Sequence, residues 1–167
     1  MKALRLNDPV EFRQRAGPLL MGSEARHNLI LGITGTLIDR PEVYPEFYLW
    51  VVEEEGQPVA AASMTPPYNL IVADALGGEA VEVLAAEVAG AELPVPGVVG
   101  NEPTVSRFIG AWSALTGTGA DLRMAQGVFA LRRVRPVPPV PGSWRRAREE
   151  DRNLLVAWTA AFTREAL

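Results

Sequence analysis

The eight residues Arg135-Pro136-Val137-Pro138-Pro139-Val140-Pro141-Gly142 constrain this chain more than any other stretch. Proline fixes φ and has no N–H to donate, so such a run belongs neither in a helix nor in a central strand. It reads as extended, polyproline-like chain, and a linker accounts for it better than a ligand for an aromatic-lined groove. The sequence therefore divides into residues 1–135, a linker at 136–142, and residues 143–167. Only the first part is long enough to bury a core of its own.

Within that part, apolar spacing and chain breakers predict an alternation of strands and helices. Lys2 to Leu6 alternates as a short strand. Asn7 or Asp8 then offers an N-cap, with Pro9 at the first helical position. That helix is expected to stop near Ala16, because Gly17-Pro18 follows. Ser23 is the next cap, for a helix from Glu24 to about Ile38 with Leu29, Ile30, Ile33 and Leu37 on one face. Phe47–Val52 and Val59–Met64 read as a hairpin about the polar turn Glu53 to Gln57. Thr65-Pro66-Pro67-Tyr68 is a turn before a short buried strand, Asn69–Ala73.

Gly77-Gly78 precedes an apolar helix, Glu79–Ala89, with Val81, Leu84, Ala85 and Val88 inward. Val98-Val99 is a minimal strand. Pro103 opens a helix from Thr104 to Leu115 that Gly117 closes. Leu122–Val134 is predicted to be strand, bent near Gly127. Beyond the linker, Trp144–Ala147 reads as strand and Glu150–Ala166 as an amphipathic helix carrying Leu154, Leu155, Trp158 and Phe162. The fold class is α/β, with an appended strand and helix whose apolar stripe needs a covering surface.

Composition removes several classes of function. About half of the chain is apolar and 22% is charged, as in an ordinary globular domain, and the net charge of −4 argues against nucleic acid. With no cysteine there are no disulfides and no thiolate metal site. Residues 1–8 lack the apolar stretch of a signal peptide, and no apolar run approaches the roughly 20 residues that span a bilayer. A cytoplasmic location without membrane contact is expected. Lys2 is the only lysine beside fifteen arginines; a base-composition bias explains this, so the arginines are poor evidence for phosphate binding.

The order β-α-α-β-β-β-α-β-α-β(β) is that of the GNAT N-acetyltransferase fold. The stretches Glu24-Ala25-Arg26-His27-Asn28-Leu29, Thr65-Pro66-Pro67-Tyr68-Asn69-Leu70 and Val99-Gly100-Asn101-Glu102 resemble the amino-terminal lobe of bacterial tandem GNAT proteins. There a degenerate first lobe precedes a catalytic second one. Arg146-Ala147-Arg148-Glu149-Glu150-Asp151 resembles the opening of that second lobe, so residues 143–167 would be its first strand and helix. The resemblance implies a GNAT-like mixed sheet, acetyl-CoA as the family's cofactor, and a small-molecule or peptide amine as acceptor.

The chain departs from the family where chemistry is carried. The acetyl-CoA loop has the pattern Q/R-x-x-G-x-G/A, in which N–H groups at a helix start grip the pyrophosphate. The matching stretch is Asp74-Ala75-Leu76-Gly77-Gly78-Glu79, where Gly77 alone fits and Gly78 is the other glycine of the remnant loop. Asp74, Glu79 and Glu82 bring negative charge, so the helix start reads as self-capped rather than as a phosphate cradle. The position of the family's tyrosine acid, counted from Asn101, falls on Phe108, which has no proton to give. No catalytic residue is therefore assigned, and the isolated chain is expected to be inactive and not to bind acetyl-CoA. A noncatalytic binding or dimerisation module, self-associating as a homodimer, is the alternative; noncanonical acyl-CoA binding is a third.

Other constellations are weaker. Glu24 and His27 form a Glu-x-x-His pair, but no second copy exists to complete a metal site, and a capping or hydrogen-bonded helix histidine is the better reading. Arg132, Arg133, Arg135, Arg145, Arg146, Arg148 and Arg152 are split by the linker and offset by Glu149, Glu150 and Asp151. They read as a solvated or internally paired surface. Ser23, Ser63 and Ser106 lack a G-x-S-x-G elbow. Gly117-Thr118-Gly119 is a helix stop, not a phosphate loop.

Overall fold

A computed structural model describes residues 1–139 and 141–166; Val140 of the proline run and Leu167 lie outside the described residues. The chain forms two compact units, Met1–Ala130 and Leu131–Leu167. The first is built on a five-stranded mixed sheet with helices on both faces.

Its elements are β1 (Lys2–Leu6), α1 (Pro9–Met21), α2 (Asn28–Asp39), β2 (Tyr48–Glu54), β3 (Gln57–Met64), β4 (Leu70–Val72), α3 (Gly78–Gly90), β5 (Val98–Gly100) and α4 (Glu102–Thr116). The strands lie in the order β1-β2-β3-β4-β5. β1 through β4 are antiparallel neighbours, while β4 and β5 run parallel. That change of direction follows from α3, since a parallel pair needs a crossover.

Alternation along the strands builds the two halves of the core. Trp50 and Val52 of β2, with Ala60, Ala62 and Met64 of β3, face Val81, Leu84, Ala85 and Val88 of α3 and Phe108 of α4. Leu49, Val51 and Ala61 face Phe12, Ala16, Leu19 and Leu20 of α1 and Ile30 and Leu37 of α2. β3 is buried from Pro58 to Met64, and its alanines let the helices on both sides come close.

The hairpin between β2 and β3 turns on two residues only, Glu55 (φ 51°) and Gly56 (φ 78°). Both are left-handed, as a tight two-residue hairpin requires. Glu53, expected in a solvated turn, belongs to β2 and is paired with Arg15 at 3.0 Å.

Four expectations are corrected. α1 does not stop at Ala16 but runs through Gly17 and Pro18 to Met21. Burying Leu19 and Leu20 on the face of Phe12 and Ala16 offsets the backbone bond that Pro18 cannot make. α2 does not start at Glu24 under a Ser23 cap: Ser23 opens a turn, its carbonyl accepting from the Arg26 and His27 N–H groups, and the helix begins at Asn28. Leu29 consequently faces solvent.

Neither Leu122–Val134 nor Trp144–Ala147 is strand; these residues are exposed and enter no ladder among the described residues. A strand exists only beside another backbone, whatever its own alternation. The appended strand and helix is therefore a helix alone. In the second unit a 3-10 turn at Glu149–Asp151 leads into α5 (Arg152–Ala166). Asp151 caps this start, its carboxylate accepting from the Arg148 N–H at 2.8 Å and pairing with Arg145. Leu154, Leu155, Trp158 and Phe162 are all exposed on α5. No helix among the described residues is long and apolar enough to cross a membrane.

Candidate functional site at the carboxyl ends of β4 and β5

In an open sheet, the crevice beyond the carboxyl ends of parallel strands is where helix starts and loops converge. Here that place is the end of β4 and β5, where the chain leads into α3 and α4.

The β3–β4 ladder pairs Ala62 with Val72 and Ser63 with Ile71. The Ala73 N–H keeps that register, donating to the Ala61 carbonyl at 2.9 Å, and the Leu76 N–H donates to the Val59 carbonyl at 2.7 Å. From 73 to 76 the chain advances three residues, while from 61 to 59 it advances two. One extra residue is thus bulged out, and a bulge re-aims the groups it frees.

The freed group is the Asp74 N–H, which donates to His27 Nε2 at 3.0 Å. His27 Nδ1 lies 2.8 Å from the Leu20 carbonyl at the end of α1. Nε2 accepts, so Nδ1 carries the proton and donates: the neutral tautomer is assigned by its partners. The ring is buried, at 4% exposure, and joins the α1–α2 turn to the loop before α3.

The expectation of a hydrogen-bonded histidine therefore holds. With its one lone pair taken by a backbone N–H, His27 cannot pair with Glu24 on a metal. Asp74 completes the group, its Oδ2 lying 3.1 Å from Arg26 Nη1 and 3.8 Å from His27 Nε2.

At the start of α3 the N-cap is Gly77 (φ 103°), a left-handed conformation that glycine alone adopts cheaply, and no side chain caps the helix. The expected self-capping is thus corrected: the Asp74 carboxylate turns to Arg26, and Glu79 contributes only its charge in the first turn. Arg107 of α4 lies against Gly78 instead. Its guanidinium lies so close to Gly78 that a Cβ there would meet Nη1 at 1.6 Å, and the same Nη1 is 3.9 Å from Glu82.

β5 sits tightly on β4, for a Cβ on Gly100 would fall 2.5 Å from the Val72 carbonyl oxygen. Asn101 is the N-cap of α4, with no side-chain cap bond. Phe108 is 1% exposed, packed in the core and stacked on Trp112 with ring centroids 6.0 Å apart.

The structure thus forms two local groups around the start of α3, Asp74 with Arg26 and His27, and Gly78 and Glu82 with Arg107; Arg26, His27 and Arg107 are residues the sequence did not place there. The arginines of the second unit are partly paired internally, Arg145 with Asp151 at 2.6 Å and Arg148 with Glu150 at 3.5 Å. Elsewhere, a groove of about 290 Å³ between α1 and α2 is lined by Arg13, Leu20, Glu24 and Thr34 among others.

Comparison of the chain with protein-family models, with curated proteins and with solved structures finds no match to any of them.

Proposed function

We propose that the first unit is a GNAT-type lobe that has lost its acetyl-CoA site, and that the chain is the amino-terminal portion of an N-acetyltransferase. The observation that carries this reading is the topology. Four antiparallel strands are followed by a parallel β4–β5 pair joined by α3, with α1 and α2 between β1 and β2. In the whole enzyme an amine would attack the acetyl carbonyl of acetyl-CoA held by a second lobe, which α5 opens. This lobe would shape the substrate entrance, and by itself it transfers nothing.

The partners already held by these groups support the loss of the cofactor. The Asp74 N–H is held by His27, Asp74 and Glu82 are paired with arginines, and Phe108 is built into the core. Glu79 at the helix start repels a pyrophosphate. The uncovered apolar residues of α5 favour a second reading, a noncatalytic module that self-associates.

The test is a thermal-shift titration with acetyl-CoA of the chain and of the double variant Asp74→Gln, Glu79→Ala, which restores the loop pattern. The original chain is expected to stay flat to about millimolar ligand. A binder present at 100 times its dissociation constant adds about 2.7 kcal/mol, so the variant's melting temperature should rise saturably. A saturable rise in the original chain would refute the lost site. A flat response from both would remove the case for an ancestral cofactor loop here.

A further inference from the structure

The buried ring of His27 is tied at both nitrogens to backbone groups far apart in the chain, at Leu20 and Asp74. We propose that His27 is a proton-operated switch for the Asp74 N–H: the neutral ring holds that N–H, and the imidazolium releases it. This stands independently of the acetyltransferase reading.

The Asp74 N–H needs a lone pair, and the one it uses is at Nε2. A proton taken from solvent onto Nε2 converts that acceptor into a donor and sets N–H against N–H. The ring has a replacement at hand, because the Asp74 carboxylate oxygen Oδ2 is 3.8 Å from the same nitrogen. Protonation therefore exchanges the amide of Asp74 for its carboxylate, one residue supplying both partners. Nδ1 keeps its proton and its bond to the Leu20 carbonyl, so the ring stays anchored to α1.

The surroundings confine the movement. The Ala73 and Leu76 N–H groups remain fixed to β3, leaving the bulged residues 74 and 75 to turn between two clamps. The loop brings the Asp74 carboxylate to the ring, and the ring's own turn brings Arg26 to that carboxylate at 3.1 Å. α1 presents a carbonyl, with Arg13 and Glu24 lining the groove beyond Leu20. Arg26 is 61% exposed, so its pairing is weak in water and yields to the imidazolium. Asp74, 22% exposed, gives the proton a route from solvent.

Because the chain has one histidine, its ring signals in a ¹⁵N–¹H spectrum need no assignment. At neutral pH they should show the Nδ1–H tautomer. On acidification through the ring's titration, the Asp74 amide should shift in step and lose about tenfold in exchange protection, after correction for intrinsic rates. The Leu76 amide should not change. In His27→Gln the Asp74 amide should be invariant over the same range. An Nε2–H tautomer at neutral pH, an Asp74 amide indifferent to the ring, or loss of protection throughout the lobe would each overturn the switch. If His27→Gln does not fold, the titration of the unaltered chain decides alone.

Discussion

Replacing Gly100 with alanine tests how closely β5 is held to β4. The added Cβ would lie 2.5 Å from the Val72 carbonyl oxygen and 3.0 Å from Val105 Cγ2. Ordinary carbon–oxygen contacts begin near ~3.3 Å, so the two backbones must separate by most of an ångström. Val105, β-branched and held in a helix, has little rotamer freedom with which to give way. Overpacking of this kind costs about 1–3 kcal/mol, and a weakened ladder bond adds about 1 kcal/mol. Alanine's lower unfolded-state entropy returns roughly 0.5–1 kcal/mol. The net expectation is destabilisation by about 2 kcal/mol.

Gly110 is the control, being exposed in α4 with nothing within 4 Å of its added Cβ. There alanine should stabilise by up to about 1 kcal/mol through helix propensity. In urea unfolding, with a slope of about 1–3 kcal/mol per molar, the two midpoints should move in opposite directions at unchanged slope. A Gly100→Ala midpoint unchanged or raised would refute the argument from close approach.

Two further predictions rest on local geometry. Glu55 holds φ 51° in the hairpin turn, so Glu55→Gly should stabilise the protein by about 0.5–1 kcal/mol in the same assay, and a loss of stability would contradict the turn assignment. At the start of α5, the Arg145 guanidinium and then the Arg148 N–H hold the Asp151 carboxyl down to about 2, from an ordinary 3.8. Lowered in the folded state, it contributes stability that is complete above 3.8 and is lost as pH falls through about 2. Its carboxyl carbon should titrate near 2 by NMR, with the first α5 amides following; a midpoint near the ordinary value would show that the cap is not formed.

What the sequence made legible was local in origin. Val81, Leu84, Ala85 and Val88 recur at helical spacing, and all four are buried on α3. Pro103 lies in the first turn of α4, and Gly117 closes it at φ 73°. The β2–β3 hairpin follows from β-branched and aromatic residues about a polar turn, and it formed with a tighter turn than expected.

The misses share one cause, dependence on groups distant in sequence. Pro18 stays helical because of what Leu19 and Leu20 bury against. Leu122–Val134 has strand composition but no ladder beside it. His27 was legible as a hydrogen-bonded histidine, yet its partner lies 47 residues on and depends on a bulge invisible to periodicity. Around the start of α3, Asp74, Gly77, Gly78 and Glu79 could be found by motif spacing, whereas Arg107 could not, since nothing local links it to Gly78.

In the sheet order β1-β2-β3-β4-β5, neighbours in space are also neighbours among the strands in the chain. This has a consequence for how the lobe is made. No strand must be inserted between two that have already paired, so the sheet can lengthen at one edge as the chain emerges from the ribosome. Only the β1–β2 pairing closes over two helices, while β2–β3 pairs through a two-residue loop. Short closures cost little entropy and fold quickly. The β2–β3 hairpin is therefore the natural nucleus, on which β1 is laid at one side and β4 and then β5 at the other.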